Sequence, residues 1–463
     1  MLPTLRSVLA NSSDPPRLAG RWSLVLIFAL SLLLVAATTC LASAQEGESS
    51  RSAPALRDAE KGPVAVPAPS DRAMAFYRGN NAIWAFNRAW FIALPGILAF
   101  SGASARLRTL ARRIGRNRFL TIGIHIVLYL AVVFVIDLPL SYYEGFVRLH
   151  HYGQSNQSLA KWFTDALLNL AVEATGGFAF AWVPYTLMAR APRTWWLLTT
   201  LLYVPFLFVT MLVMPVWVAP LYNRFGPMKD KALERQILAL AERAGIEGGR
   251  VFEVEKSVDT KAMNAYVTGV FGTQRIVLWD TLIARLDERE VLAVMGHEMG
   301  HYVHGDVVRS ILLGSVIVLA GLFVVDRAGR PLVARFSNRL GFDRLSDVAS
   351  VPLVLMLINI ASLFLGPVVL AYSRYQEHQA DVYSVEVTHD PHAAASAFVK
   401  MQQENLSNPR PGPIYRFFRA SHPSIGERID YFNSHLPRLD EPPVRRPEDP
   451  GRTRASIGSP EPR

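Results

Sequence analysis

The chain has 463 residues, of which 51% are hydrophobic, and a formal net charge of +10. Its single cysteine, Cys40, excludes an intrachain disulfide framework and a cysteine-rich zinc site, so any zinc ligands must be His, Asp or Glu. A mean hydropathy of +0.20 points to membrane spans, and the arginines cluster in short loops without any nucleic-acid motif, so the basic balance fits a lipid bilayer and no nucleic acid is expected as a partner.

The first apolar run, about 22–42, follows Arg17 and Arg21 and ends at Ala42-Ser43-Ala44, which resembles a signal-peptidase site. Residues 1–44 are therefore a signal peptide or a first transmembrane anchor. Residues 45–88 are rich in Ala, Pro, Ser and charge and read as a polar tether. Further apolar runs follow at about 89–105, 120–141, 166–189, 195–221, 307–325 and 351–372. Most reach or approach the ~20 residues that cross a hydrocarbon core of ~30 Å. The expected fold is a predominantly α-helical integral membrane protein with about seven transmembrane helices, six if the first run is removed. Within it, 89–221 forms a transmembrane bundle and 307–372 a transmembrane hairpin. Glu173 interrupts the 166–189 run. An ionised group at the bilayer centre costs ~2.5–3.5 kcal/mol, so Glu173 is expected to face a cavity or the bundle interior.

Arginines set the orientation. The 106–119 loop carries Arg106, Arg108, Arg112, Arg113, Arg116 and Arg118; the 190–194 turn carries Arg190 and Arg193. The 326–350 loop carries Arg327, Arg330, Arg335, Arg339 and Arg344, whereas the alternate loop, 142–165, has only Arg148 and Lys161 among such residues. The arginine-rich loops share one side, which the positive-inside rule makes cytoplasmic. Segments 222–306 and 373–436 then lie together on the extracytoplasmic side, followed by a tail, 437–463, read as disordered.

Between the spans, the pattern predicts a helix over Asp230–Ala244, a strand over Arg250–Glu255, and a hairpin of Tyr266–Val270 and Arg275–Leu278 around Gly272. A second helix, Glu288–His304, carries His297-Glu298-Met299-Gly300-His301. In this HExxH pattern the imidazoles at i and i+4 share one helix face and reach one ion. Glu298 projects beside the ion's open position, where a carboxylate takes a proton from an activated water. A catalytic zinc site needs a third protein ligand. Ser373–Asp381 supplies the candidate, Glu377, with His378 as a rival about 100° round the helix. Asp381, four residues on, is placed to accept an N–H from a ligating histidine and fix its tautomer.

Several stretches together resemble the M48 metallopeptidase family, in its Ste24-like CAAX prenyl protease branch. They are HEMGH at 297–301, SRYQEHQAD at 373–381, Asn264-Ala265-Tyr266 with Arg275-Ile276-Val277-Leu278, Ala219–Phe225 with Pro227, and Ser421-His422-Pro423-Ser424 with Glu427-Arg428. The likeness runs over roughly 70–435. It implies one zinc ion per chain on His297, His301 and Glu377, with Glu298 as general base. It further implies that Asn264 helps hold an extended substrate strand and that His422 stabilises an oxyanion. The implied fold is a ring of spans around a chamber with a zincin-like polar catalytic domain, and the implied activity is hydrolysis of peptide bonds in peptide or protein substrates, lipid-modified or membrane-associated ones included. Two rival readings are a membrane-protein quality-control protease, which usually has fewer spans, and a metal transporter, which needs polar groups along its spans beyond Glu173 and Asp137.

Overall fold

The computed structural model describes residues 62–246, 248–268 and 275–436. Readings on 1–61 and 437–463 lie outside the described residues. Among the described residues, six helices are long and apolar enough to cross a membrane: α1 (Asp71–Phe100), α3 (Arg118–His151), α4 (Leu159–Arg190), α5 (Trp195–Leu221), α8 (Asp306–Leu340) and α9 (Val351–Thr388). The short helix α2 (Ala103–Ile114) lies between α1 and α3. The spans pack in the cyclic order α1, α9, α8, α5, α4, α3 and back to α1, where Trp90 Nε1 donates to Asp137 Oδ1 at 2.7 Å, and α1 also touches α8. Little of any apolar window is covered by protein, and none of it in α4 or α8, so the helices form a shell one layer thick. Glu173 is exposed in that shell, one turn from Asn169, whose side chain accepts from the Tyr222 hydroxyl at 2.6 Å.

Three helices extend beyond the apolar runs that announce them. Helix α1 starts at Asp71, inside the stretch read as a tether, because Ser70 caps it by accepting from Ala73 N and its polar residues find partners. Asn87 donates to Glu144, and Arg148 donates to Asn80 Oδ1 and Phe76 O, which ties α1 to the end of α3. The preceding residues also dock: Val64 and Asn433 exchange two hydrogen bonds. On the arginine-rich side, the segment read as a 326–350 loop is helical to Leu340. Asp326 is buried there, accepting from Trp195 Nε1 at 2.6 Å and from Arg330, so its charge is satisfied without ending the helix. Helix α9 likewise runs unbroken past the apolar run to Thr388, carrying 373–381 as a rigid extension of a span.

The polar unit holds a four-stranded sheet in the order β1-β2-β4-β3: β1 (Phe225–Pro227), β2 (Arg250–Val254), β3 (Ala265–Thr268) and β4 (Arg275–Trp279). The hairpin of β3 and β4 is antiparallel as expected, and β2 pairs with β4 in parallel. Helix α6 (Lys231–Arg243) and helix α7 (Glu288–Val303) bury Leu233, Ile237, Leu240, Val291, Met295 and Met299 against this sheet in one core. Burying each such side chain contributes about 1.5–3 kcal/mol. Helices α10 (Pro391–Glu404), α11 (Pro413–Phe418) and α12 (Ile425–Ser434) are the last described elements.

Candidate metal centre and active site

Helix α7 is fixed at its start by a capping box, in which Asp287 accepts from Glu290 N and Glu290 accepts from Asp287 N. Two glycines then let it approach α9 closely. A Cβ on Gly300 would lie 3.0 Å from Ala380 Cα, and one on Gly296 would lie 3.0 Å from the Thr388 side chain. Ser384 Oγ donates to Ala293 O at 2.7 Å along the same seam. That seam decides where the third candidate ligand goes, because Glu377 sits one turn before Ala380 on α9.

The structure brings His297, His301 and Glu377 together, with one nitrogen or oxygen of each lying within 4.8 Å of the others. His297 Nε2 is 3.2 Å from Glu377 Oε2, and His301 Nε2 is 3.5 Å from Glu377 Oε1. The opposite nitrogens are occupied. His297 Nδ1 lies 2.9 Å from Asp381 Oδ1, and His301 Nδ1 lies 2.9 Å from Asp306 Oδ2. Both rings therefore turn Nε2 towards the same point, with carboxylates behind them that raise ligand basicity. Glu377 Oε2 is buried there without a hydrogen-bond donor. A buried, unsatisfied carboxylate oxygen facing two imidazole nitrogens is a donor set that fits a divalent cation of the zinc type. His378, the rival ligand, turns away, its ring 5.0 Å from that of Tyr431.

Around this centre the charges are layered. Arg428, buried on α12, donates to Asp381 through Nε at 2.9 Å and Nη2 at 2.5 Å. Its guanidinium also lies 3.7 Å from Glu377 and stacks over the Phe398 ring at 3.9 Å. Gln376 Nε2 donates to Asp306 O at 3.3 Å, tying the start of α8 to α9. Burial pushes the Glu298 carboxyl above the usual carboxylate range, against the pull of His297 and His301. For His301, burial lowers the pKa, but hydrogen bonds to Asp306 and Glu377 outweigh it and the ring is pushed up to about 10. His297 is opposed by burial and Arg428, yet Asp381 and Glu377 still carry it upward.

The other sequence candidates take different places. His422 Nε2 is 3.1 Å from Glu377 Oε1, while its side chain remains 56% exposed, on the open side of the cluster. Asn264 is exposed at the start of β3, its carbonyl accepting from Trp279 N at 3.1 Å and its side chain accepting from Ala265 N at 2.9 Å. Asn264 makes no contact with the three clustered side chains among the described residues, but β3 is one of the two edge strands of the described sheet and packs on α7. Asp306 and Arg428 had no role in the sequence reading. The signal for Asp306 was its position just past Gly305, where α8 restarts after HExxH with a left-handed turn (φ 64°). Arg428 was visible only as part of a quoted motif, since its partners come from elements far apart in the chain.

Comparison with known proteins agrees with this architecture. Residues 71–224 match the CAAX prenyl protease N-terminal family, described as five membrane helices, and residues 227–435 match peptidase family M48. A Bacillus subtilis protein described as the uncharacterized metalloprotease YhfN is 37% identical, over 81% of this chain and 90% of that protein. The Saccharomyces cerevisiae CAAX prenyl protease 1 is 28% identical over 64% of this chain and 68% of its own length. The crystal structure of S. mikatae Ste24p superposes with a TM-score of 0.70 at 20% identity, covering 88% of this chain and 98% of that one, which shows the shared fold. The chain is thus a multi-pass membrane metalloprotease and belongs to peptidase family M48.

Proposed function

We propose that the chain is a zinc endopeptidase whose single ion is held by His297, His301 and Glu377. The observation that carries this reading is the convergence of the three ligand atoms within 4.8 Å, with Glu377 Oε2 buried and unsatisfied among them. When bound, the ion supplies Lewis acidity for the scissile carbonyl and for a water. Glu298 is the general base. It adjoins His297 on α7, and its raised pKa brings its proton affinity towards that of the groups it serves. It takes the proton of the attacking water and passes it to the leaving amine. Asp381 and Asp306 hold the rings in the tautomer that presents Nε2 to the ion. His422, exposed on the open side, donates to the developing oxyanion. The outer edge of β3, unpaired among the described residues and beginning at Asn264, holds the substrate as an added strand.

The substrates are peptides or proteins presented at the membrane, lipid-modified ones among them. This extends to the chain what the name of the yeast relative says of that protein. The cleft opens on the extracytoplasmic side. Helices α3, α5 and α9 all end at the polar unit, where the Ser155–Thr260 bridge joins the α3–α4 turn to it, and the arginine-rich turns lie at the other end of the shell.

The test is zinc-dependent cleavage of a peptide panel, each peptide with and without a C-terminal lipid. Wild type is compared with Glu298→Gln. The variant keeps its zinc and loses at least ~10²-fold in turnover; near-normal turnover rules out the base, and cleavage indifferent to the lipid rules out lipid-directed specificity. A reporter fused after Pro437 gives an extracytoplasmic signal if the orientation is right and a cytoplasmic one if it is not.

A further inference from the structure

At the end of the shell remote from the metal centre, a cavity of about 430 Å³ opens between two span starts. One wall is the end of α2 and the start of α3, contributing Arg112, Arg118 and Ile122. The other is the α8–α9 turn, contributing Asp343, Arg344, Asp347 and Val348. Helix α9 runs 26 residues from Val351 after this turn to Glu377, or ~40 Å at ~1.5 Å per residue.

The charges in this cavity are unbalanced. Asp347 is already committed: it pairs with Arg108 at 2.5 Å and accepts from Ala349 N at 3.0 Å, capping the turn that starts α9. Arg112 reaches it only at 3.5 Å and leaves 61% of its side chain exposed. Arg344 is 80% exposed and 3.9 Å from the equally exposed Asp343, a pairing of little worth in water. Arg118 gives one nitrogen to Tyr185 O at 3.0 Å and has no carboxylate partner among those recorded. Three guanidinium groups thus border one cavity with spare donors. The apolar side chains of Ile122 and Val348 also line it, and beside it Ile114 and Phe119 are exposed at the ends of α2 and α3.

We propose that this cavity binds the phosphate headgroup of an anionic phospholipid. Phosphate oxygens accept the forked guanidinium donors. The position at two span starts, beside exposed Ile114 and Phe119 and the uncovered apolar faces of the shell, suits a ligand whose acyl chains continue down it, which a free phosphate lacks. Basic pockets between spans on the arginine-rich side are where anionic headgroups collect.

The experiment uses the full chain in detergent micelles, read by native mass spectrometry with phosphatidylglycerol, phosphatidylcholine or inorganic phosphate added. Wild type retains phosphatidylglycerol in preference to phosphatidylcholine. The double variant Arg112→Gln/Arg344→Gln weakens phosphatidylglycerol binding about thirtyfold, as expected for removing two interfacial cations. Arg112→Lys/Arg344→Lys keeps the charge and retains most of the binding, which separates a lost site from a damaged fold. Arg190→Gln/Arg193→Gln, on the same side but outside the cavity, binds as wild type does. The proposal fails if the glutamine pair binds phosphatidylglycerol normally, if all arginine pairs weaken it equally, or if millimolar inorganic phosphate displaces the lipid completely.

Discussion

Replacing Arg428 with methionine removes a cation that no other group can stand in for. Asp381 is 1% exposed, and besides Arg428 only His297 Nδ1 reaches its carboxylate among the recorded contacts. The variant leaves that carboxylate buried beside one imidazole. Breaking a buried pair by removing one partner costs about 3–5 kcal/mol, because the survivor stays uncompensated. The metal-free protein should melt well below wild type in detergent. Zinc affinity should fall by about 10–100-fold, since the Asp381 carboxylate no longer holds His297 in a fixed orientation. The companion variant Asp381→Asn/Arg428→Met separates the two effects. It removes the orphaned charge and should recover much of the lost stability, yet its zinc affinity should stay low. Thermal denaturation of the metal-free form and competition with a zinc chelator read the two quantities. An Arg428→Met protein that melts and binds zinc as wild type does would refute the argument.

Two further outcomes follow from the same geometry. Gly300→Val places a branched side chain where even a Cβ lies 3.0 Å from Ala380 Cα, so α9 must move outward and take Glu377 with it. Overpacking of this kind costs about 1–3 kcal/mol, and zinc content should drop while the total helix content by circular dichroism is unchanged; full zinc content would show that the seam does not set the ligand. The second concerns pH. In the metal-free protein His301 is raised from 6.5 to about 10, first opposed by burial and then carried up by Asp306 and Glu377. Its protonated form therefore stabilises the metal-free fold fully below pH 6.5, and that stability is lost as pH rises through about 10. An ion must displace the proton, so zinc affinity should rise by about tenfold per pH unit per displaced proton across that window. Affinity that is flat between pH 6.5 and 8.5, measured by chelator competition, would contradict the assignment.

What was legible in the sequence was whatever short-range spacing encodes. The i, i+4 histidines and the Glu377–Asp381 spacing each depend on one helix, and the structure places each pair on a single helix. The 89–105 run is instead split at Ser101-Gly102, between α1 and α2. The hairpin of β3 and β4 was readable for the same reason. Helix ends were not. The polar start of α1 is helical because Asn80 and Asn87 meet Arg148 and Glu144, residues some sixty positions away. The arginine-bearing end of α8 is helical because Asp326 is satisfied by Trp195. The parallel pairing of β2 with β4, and the convergence of Arg428 on Asp381, likewise depend on long-range closure that no local pattern carries.

The central claim is a zinc ion held by two histidines of α7 and a carboxylate from the far end of a membrane span. Zinc-edge X-ray absorption on the purified full chain, with metal analysis alongside, tests it most directly. The account predicts one zinc per chain with two imidazole nitrogens and carboxylate oxygen at ~2.0–2.2 Å, and loss of zinc in Glu377→Ala. A Glu377→Ala protein with full zinc and an unchanged spectrum would contradict it.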